Sequence, residues 1–441
     1  MMNRRYNIIN NSLGWLCFLI AGVSYLLTIE PTASFWDCPE FISQGFKLEV
    51  GHPPGNPIFM LAARFAINLI GGDVTKVAMA VNSMNALLSA GTIMLLFWTI
   101  THLMRRLIVK DGSESISTAK IITIFGSGLV GALAYAWSDT FWYSAVEGEV
   151  YSFSSFCTAL VFWLILKWEN RADMPHSDRY LVLIAYIIGV SIAVHLLNLL
   201  CIPAIVLVFY YKKWAAPTAK GSLMALLLSF VIVALILFGL VPGFIEVAQY
   251  FELFFVNTLG LGFNTGVIVY TILAVVSFIW SLRELYAQKS ATRISVSFIA
   301  AIFFSGVPFI GHSLWIPVFV LAGLGVYLAT TRKLPVRILT LVTLSVMVIF
   351  AGYSSYALLL IRSSAKTPMN QNAPDNVFDL GSYLNREQYG ETPRLYGTTF
   401  GSDVLRTPDG SPAGTEEYNY AKQVKQNPGD PDRYVKVLSR T

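Results

Sequence analysis

The chain has 441 residues, 55% of them hydrophobic and only 13% charged, with a formal net charge of +5. Soluble domains carry about 25% charged residues, so this composition excludes an ordinary soluble fold. Nucleic-acid binding is excluded as well, because the basic residues sit in short clusters between apolar runs and form no basic face interleaved with aromatics.

In chain order, apolar segments fall at 8–29, 77–103, 119–136, 151–167, 180–197, 199–211, 222–242, 265–282, 294–310, 313–330 and 337–361. About 20 apolar residues span a bilayer, and fewer serve where a helix is short or partly embedded. The expectation is an all-α polytopic membrane protein with a bundle of about eleven transmembrane helices. The opening Asn3-Arg4-Arg5 and its apolar run lack a small-residue cleavage site and read as an uncleaved first helix. Segment 57–70 is apolar but short, contains Arg64 and follows a Pro/Gly-rich entry, which predicts an interfacial helix in the first external loop. Cys17, Cys38, Cys157 and Cys201 form no C-x-x-C or Cys/His zinc spacing, and Cys38 reads as the loop thiol. From Arg362 onward the chain turns polar, with turn signals at Pro368, Pro374, Pro408-Asp409-Gly410 and Pro428-Gly429-Asp430. A short helix over about 375–389, entered through Asp375-Asn376, is predicted within it. The division is a transmembrane domain over 1–361 and an external tail over 362–441, the start of a larger soluble region.

Charge sets the orientation, because Lys and Arg collect in cytoplasmic loops. With the N-terminus inside, the clusters at Arg4 and Arg5, at Arg105, Arg106 and Lys110, at Lys167, Arg171 and Arg179, at Lys212, Lys213 and Lys220, at Arg283, Lys289 and Arg293, and at Arg332, Lys333 and Arg337 all lie on the cytoplasmic side. The first external loop, 30–76, then holds only Lys47, Arg64 and Lys76.

The chemistry gathers on the outer face. Asp37 and Glu40, in Phe35-Trp36-Asp37-Cys38-Pro39-Glu40-Phe41, share one face if the local chain is helical. They are followed by Gly51-His52-Pro53-Pro54-Gly55. The second external loop supplies Glu147, Glu149 and Tyr151. His195 lies near the outer end of the fifth predicted span as the main ionisable group within an apolar run, a functional position by default. Arg362 marks the exit of the last span. A carboxylate at the water edge can act as general base on a hydroxyl, while a histidine or arginine neutralises a leaving phosphate. A groove between helices accepts a polyprenyl chain, and one in-line displacement inverts the sugar carbon. Concentration of polar groups at one face, not at mid-membrane, weighs against a transporter. The alternatives are a transporter or flippase of a lipid-linked sugar, a glycosyltransferase acting on envelope lipid or polysaccharide, and a non-catalytic scaffold. No metal is expected, since no further hard ligands are spaced to complete a shell around the two carboxylates.

The runs FWDCPEFI and VGHPPGNPIFMLAAR resemble the N-terminal signature of a bacterial and animal family of multi-spanning protein O-mannosyltransferases. The likeness continues through Glu147-Gly148-Glu149-Val150-Tyr151, the stretch Ser191 to Asn198, Asn376-Val377-Phe378, and the stretch Ser382 to Gly390. The resemblance implies a GT-C type, inverting glycosyltransferase. It would move mannose from a polyprenyl-phosphate donor to Ser/Thr hydroxyls of exported proteins, with no cofactor beyond that donor. It implies Asp37 as base with Glu40 assisting, and the His52-Pro53-Pro54 turn as a family element. The implied setting is a bacterial inner membrane with the site on the periplasmic face and membrane lipid as a partner.

Overall fold

The computed structural model describes residues 2–109, 116–311, 313, 315–331, 335–390, 397, 399–403, 406–410 and 417–440. Lys110, Arg332 and Lys333 of the basic clusters lie outside the described residues. From the N-terminus, α1 (Met2–Leu27) leads into a first loop folded as α2 (Cys38–Lys47) and α3 (Pro57–Leu69). Next come α4 (Val77–Ile108), α5 (Thr118–Ala136), the short α6 (Asp139–Ala145), α7 (Val150–Glu169), α8 (Arg179–Ile192) and α9 (Ile202–Lys213). Helix α10 (Ala219–Ala234) passes through the π-helical stretch Leu235–Leu240 into α11 (Val241–Leu253), which ends in a second one, Phe254–Thr258. The bundle closes with α12 (Thr265–Tyr286), α13 (Ala291–Phe304), α14 (Trp315–Thr330), α15 (Val336–Tyr353) and α16 (Ala357–Ser364). The tail contributes α17 (Val377–Leu384) and an antiparallel pair, β1 (Glu417–Lys422) and β2 (Tyr434–Arg440).

Each of the eleven predicted segments holds a helix. Among the described residues, 8 helical stretches are long and apolar enough to cross a membrane, counting Ala219–Thr258 and Val336–Ser364 as one each. The other three, α8, α13 and α14, have 14, 14 and 16 residues. Outward-facing Leu223, Leu227, Phe230 and Val231 on α10 are about half exposed, an apolar surface suited to hydrocarbon and costly in water. The protein is an all-α polytopic membrane protein, with one correction: the tail ends in a two-stranded sheet that the turn signals alone did not announce.

Membrane helices associate through close packing, because lipid supplies no hydrophobic drive. The crossing of α8 and α15 shows this directly. A Cβ on Gly189 would sit 2.4 Å from the Ile349 carbonyl oxygen, and one on Gly352 would sit 2.4 Å from the Gly189 carbonyl carbon. The two backbones therefore touch, and neither position accepts a side chain. Helix α3 buries Phe59, Met60, Ala63 and Ile67 completely, so its apolar face packs on α2 and α4 as well as lying at a bundle end.

The tail docks on the first loop. Val50 pairs with the chain beyond the last span, donating to the Met369 carbonyl (3.0 Å) and accepting from Gln371 N–H (3.0 Å). The predicted tail helix is shorter than 375–389: Asn376 Oδ1 accepts from Phe378 and Asp379 N–H (2.9 and 3.1 Å) and starts α17. A 3₁₀ turn at Glu387–Tyr389 follows it.

Candidate active site

Helix α2 is built to present its N-terminal carboxylates. Asp37 occupies the N-cap position, yet its side chain caps nothing. The carboxylate is left facing outward, 57% exposed, with Oδ2 4.0 Å from His52 Nε2. Trp36 before it adopts φ 62°, a rare conformation for a bulky residue, and is 92% exposed. Glu40, one turn on, is engaged differently. Its Oε1 accepts from the His52 N–H (2.6 Å), the His52 Nδ1 side (2.9 Å) and Gln44 Nε2 (2.8 Å). A Cβ at position 51 would lie 1.5 Å from Gln44 Nε2 and 2.3 Å from Glu40 Oε1, so any side chain there would push this hydrogen-bonded pair aside. The carboxylate thus ties the Gly-His-Pro-Pro turn to α2. Burial pushes the Glu40 carboxyl up, but the hydrogen bonds and charge of His52 outweigh it and hold it below its ordinary value. The same bond raises the His52 imidazole, against burial.

The second acidic loop forms the facing wall, hung from α4 by Asn85, while Asn82 one turn earlier ties down the start of the first loop. Asn85 Nδ2 donates to the carbonyls of Glu147 (2.7 Å) and Glu149 (2.6 Å). Asn82 Nδ2 donates to those of Glu30 (2.6 Å) and Thr32 (3.0 Å). Glu147 and Glu149 are each only 7% exposed, so neither belongs to a wetted tip. Burial, followed by the charges of Asp37 and Glu147, pushes Glu149 up to about 8 despite its hydrogen bond from Val150 N–H. Burial also raises Glu147, opposed by hydrogen bonds from Ser34 and Cys38. Cys38 corrects its reading as a loop thiol: it is 1% exposed in the first turn of α2. Burial and the carboxylates of Glu147 and Glu149 push that thiol well up.

His195 completes the pocket from a break in the bundle. The span predicted to run to 197 stops at Ile192; His195 is extended, and a 3₁₀ segment, Leu196–Cys201, follows. Its Nδ1 accepts from Leu197 N–H (3.2 Å), which requires that nitrogen to be unprotonated and leaves Nε2 as the donor. Burial and then the nearby Arg386 charge hold the imidazole low, in keeping with the neutral form. The Tyr151 ring packs edge-on at 5.3 Å.

A pocket of about 230 Å³ joins these walls: Asp37, His52, Glu149, Tyr151 and His195 line it with Arg386. Arg386 follows α17 at φ 57°, and Tyr383 one turn earlier fixes that segment by donating to the Gly51 carbonyl (2.6 Å). Glu40 and Glu147 stand one contact behind, on His52 and Cys38. Arg362 is placed elsewhere: its guanidinium donates to the Leu48 (2.6 Å) and Lys47 (3.1 Å) carbonyls, closing the C-terminus of α2. The residues not singled out in the sequence are Asn82, Asn85, Tyr383 and Arg386. Asn82 and Asn85, three apart in an apolar helix, carried a readable signal, and Arg386 lies inside the Ser382 to Gly390 likeness. Asp37, Glu40 and His52 also offer one ligand atom each within 4.8 Å of one another, a set able to hold a metal ion. One Glu40 oxygen, Oε1, already accepts three N–H groups.

Residues 37–218 match the family model described as the N-terminal domain of protein O-mannosyl-transferase TMEM260. A protein O-mannosyl-transferase tmem260 of Dictyostelium discoideum is 24% identical over 202 residues, 44% of this chain and 22% of the relative. The Mus musculus protein O-mannosyl-transferase TMEM260 is 25% identical over 175 residues, 40% of this chain and 22% of the relative. The matched part is thus about a fifth of either relative's length. No solved structure gives a significant match. The family match takes in every pocket residue except Arg386, and over that stretch the chain is similar to the protein O-mannosyl-transferases, as its loop motifs implied.

Proposed function

We propose that this pocket transfers a sugar, mannose by likeness to the named relatives, from a polyprenyl-phosphate donor to a serine or threonine hydroxyl of an exported protein. The observation that carries the reading is the meeting, from three separate segments, of an uncommitted carboxylate, a neutral histidine and an arginine around one small pocket. Asp37 takes the proton of the acceptor hydroxyl as its oxygen attacks the anomeric carbon. The carbon–oxygen bond to phosphate breaks, the electron pair leaves on the phosphate, and the sugar carbon inverts. Arg386 and the His195 N–H face the charge that develops on the leaving group. Glu149, protonated below about pH 8, adds no negative charge beside that phosphate. Glu40 positions His52 and, through it, the turn that borders the pocket. The exposed Phe35 and Trp36 at the rim suit a membrane interface.

In this reading the basic helix ends face the cytoplasm, the pocket opens on the periplasmic side of a bacterial inner membrane, and the segment after α17 that carries Arg386 borders it there. The test is purified protein in liposomes with polyprenyl-phosphate-mannose and a serine-containing peptide, read by mass spectrometry. Addition of one hexose to the peptide supports the proposal. Movement of donor between leaflets with no modified peptide would establish the flippase alternative instead.

A further inference from the structure

A second polar cavity lies at the opposite end of α1, α4 and α7, about 24 Å away along α7 by the rise from Tyr151 to Lys167. It has about 120 Å³, room for roughly four waters. The sequence feature behind it is Asn7, Asn10 and Asn11, which sit at the i, i+3 and i+4 positions of one face in the first turns of a membrane-crossing helix. Amides there are costly unless partnered, and the buried Asn10 Oδ1 has no hydrogen-bond partner among the described residues. Across the cavity stand Arg105, over the Tyr6 ring at 4.7 Å, and Lys167, over the Trp163 ring at 4.7 Å. Trp98 packs against Trp163 at 5.6 Å and donates to the Asn10 carbonyl (3.1 Å). No acid is among the described residues that line the cavity, and Glu169, beside the lining residue Asn170, binds Arg106 (3.1 Å) and His102 (3.3 Å). Among the described lining residues the side chains that carry a fixed charge, Arg105 and Lys167, are both positive, beside indoles typical of the headgroup level.

We propose that this cavity binds a phosphate ester at the membrane surface. The phosphate lies between Arg105 and Lys167, and a hydroxyl or ammonium on the ester donates to Asn10 Oδ1. The ester comes from either an anionic lipid headgroup or a soluble molecule, and the site is independent of the transfer reaction at the other end. Lipid headgroups of this kind are drawn to basic clusters at helix ends.

The test uses the full-length protein, delipidated in detergent. In one arm, phosphatidylglycerol and phosphatidylcholine compete for binding, read by native mass spectrometry; in the other, glycerol 3-phosphate is titrated against Trp fluorescence. Variants Lys167→Gln and Asn10→Leu are compared with Lys220→Gln, an exposed lysine outside the cavity, after melting curves confirm folding. A preference of about tenfold for phosphatidylglycerol, lost in both cavity variants and kept in Lys220→Gln, supports the site with a lipid as its source. Saturable quenching by glycerol 3-phosphate with the same variant pattern supports it with a soluble source. Equal binding of the two lipids with no quenching, or equal losses in all three variants, overturns it. If neither cavity variant folds, the wild-type preference and quenching decide alone: their presence supports the site and their absence overturns it.

Discussion

The two acidic loops carry the same kind of side chain in opposite surroundings. Around Asp37 the carboxylate is more than half exposed and caps nothing, although it sits where a helix would readily use it. At Glu149, 7% exposed, burial dominates and the acid keeps its proton to about pH 8. Local sequence gives both loops closely spaced acids; what separates their roles is which loop is hung inside the bundle. Asn85 draws the backbone of Glu147 and Glu149 inward, while Glu40 accepts the hydrogen bonds of His52 and leaves Asp37 4.0 Å from that ring. One acid is thereby suited to accept a proton and the other to remain neutral.

The sharpest way to break this contrast is to remove the outward acid. Asp37→Asn keeps the shape and should lower peptide transfer by about 10²–10⁴-fold with an unchanged melting temperature. The next largest effect is expected at the cation shared by both walls. Arg386→Gln should lower kcat by about 10²–10³-fold, and Arg386→Lys should recover part of the loss.

Glu40→Gln removes a charged acceptor from three N–H groups and should cost about 1–3 kcal/mol of stability, measured by denaturant unfolding. The pH dependence has a definite sign. His52 binds its proton more tightly when folded, so its contribution is complete below pH 6.5 and fades as pH rises through its raised value. Glu40 is held low, so its contribution is present above 4.5 and lost as pH falls through its lowered value. Wild-type stability should therefore carry a component that peaks between those limits and is absent in Glu40→Gln.

A subtler change sharpens the contrast from the other side. Glu149 binds its proton more tightly folded than unfolded, so its contribution is complete below 4.5 and declines as pH rises to about 8. Ionisation there also places a second charge beside the phosphate. Glu149→Gln should keep transfer within a few-fold at neutral pH and remove both the decline in melting temperature between pH 4.5 and about 8 and the fall in rate as pH passes about 8. The smallest effect is expected at Arg362→Ala. Its contacts are carbonyls at the end of α2, so stability should fall by about 1–3 kcal/mol while the pH–rate profile keeps its shape.

The helices were legible because each needs its own run of apolar residues, and a bilayer fixes the length of that run. Their ends were less so: the break at His195 carries no Pro or Gly, and the π-helical stretches continue α10 well past the predicted stop. The acids, His52 and His195 stood out as polar groups in an apolar chain. Arg386 did not, because an arginine in a polar tail is unremarkable until α17 docks through Tyr383 and carries it some 330 residues back to the first loop. Arg362 was conspicuous at a helix exit, but its reach ends on two backbone carbonyls. The strand pair escaped because its partners lie across a long loop and its inward face is aromatic, with Tyr420 and Tyr434 packing on Phe378.

The most direct measurement is single-turnover transfer of mannose from polyprenyl-phosphate-mannose to a serine peptide, by Asp37→Asn and Glu149→Gln side by side at pH 7. The account predicts near-complete loss in Asp37→Asn and near wild-type transfer in Glu149→Gln. Active Asp37→Asn with inactive Glu149→Gln would place the base in the second loop and contradict it.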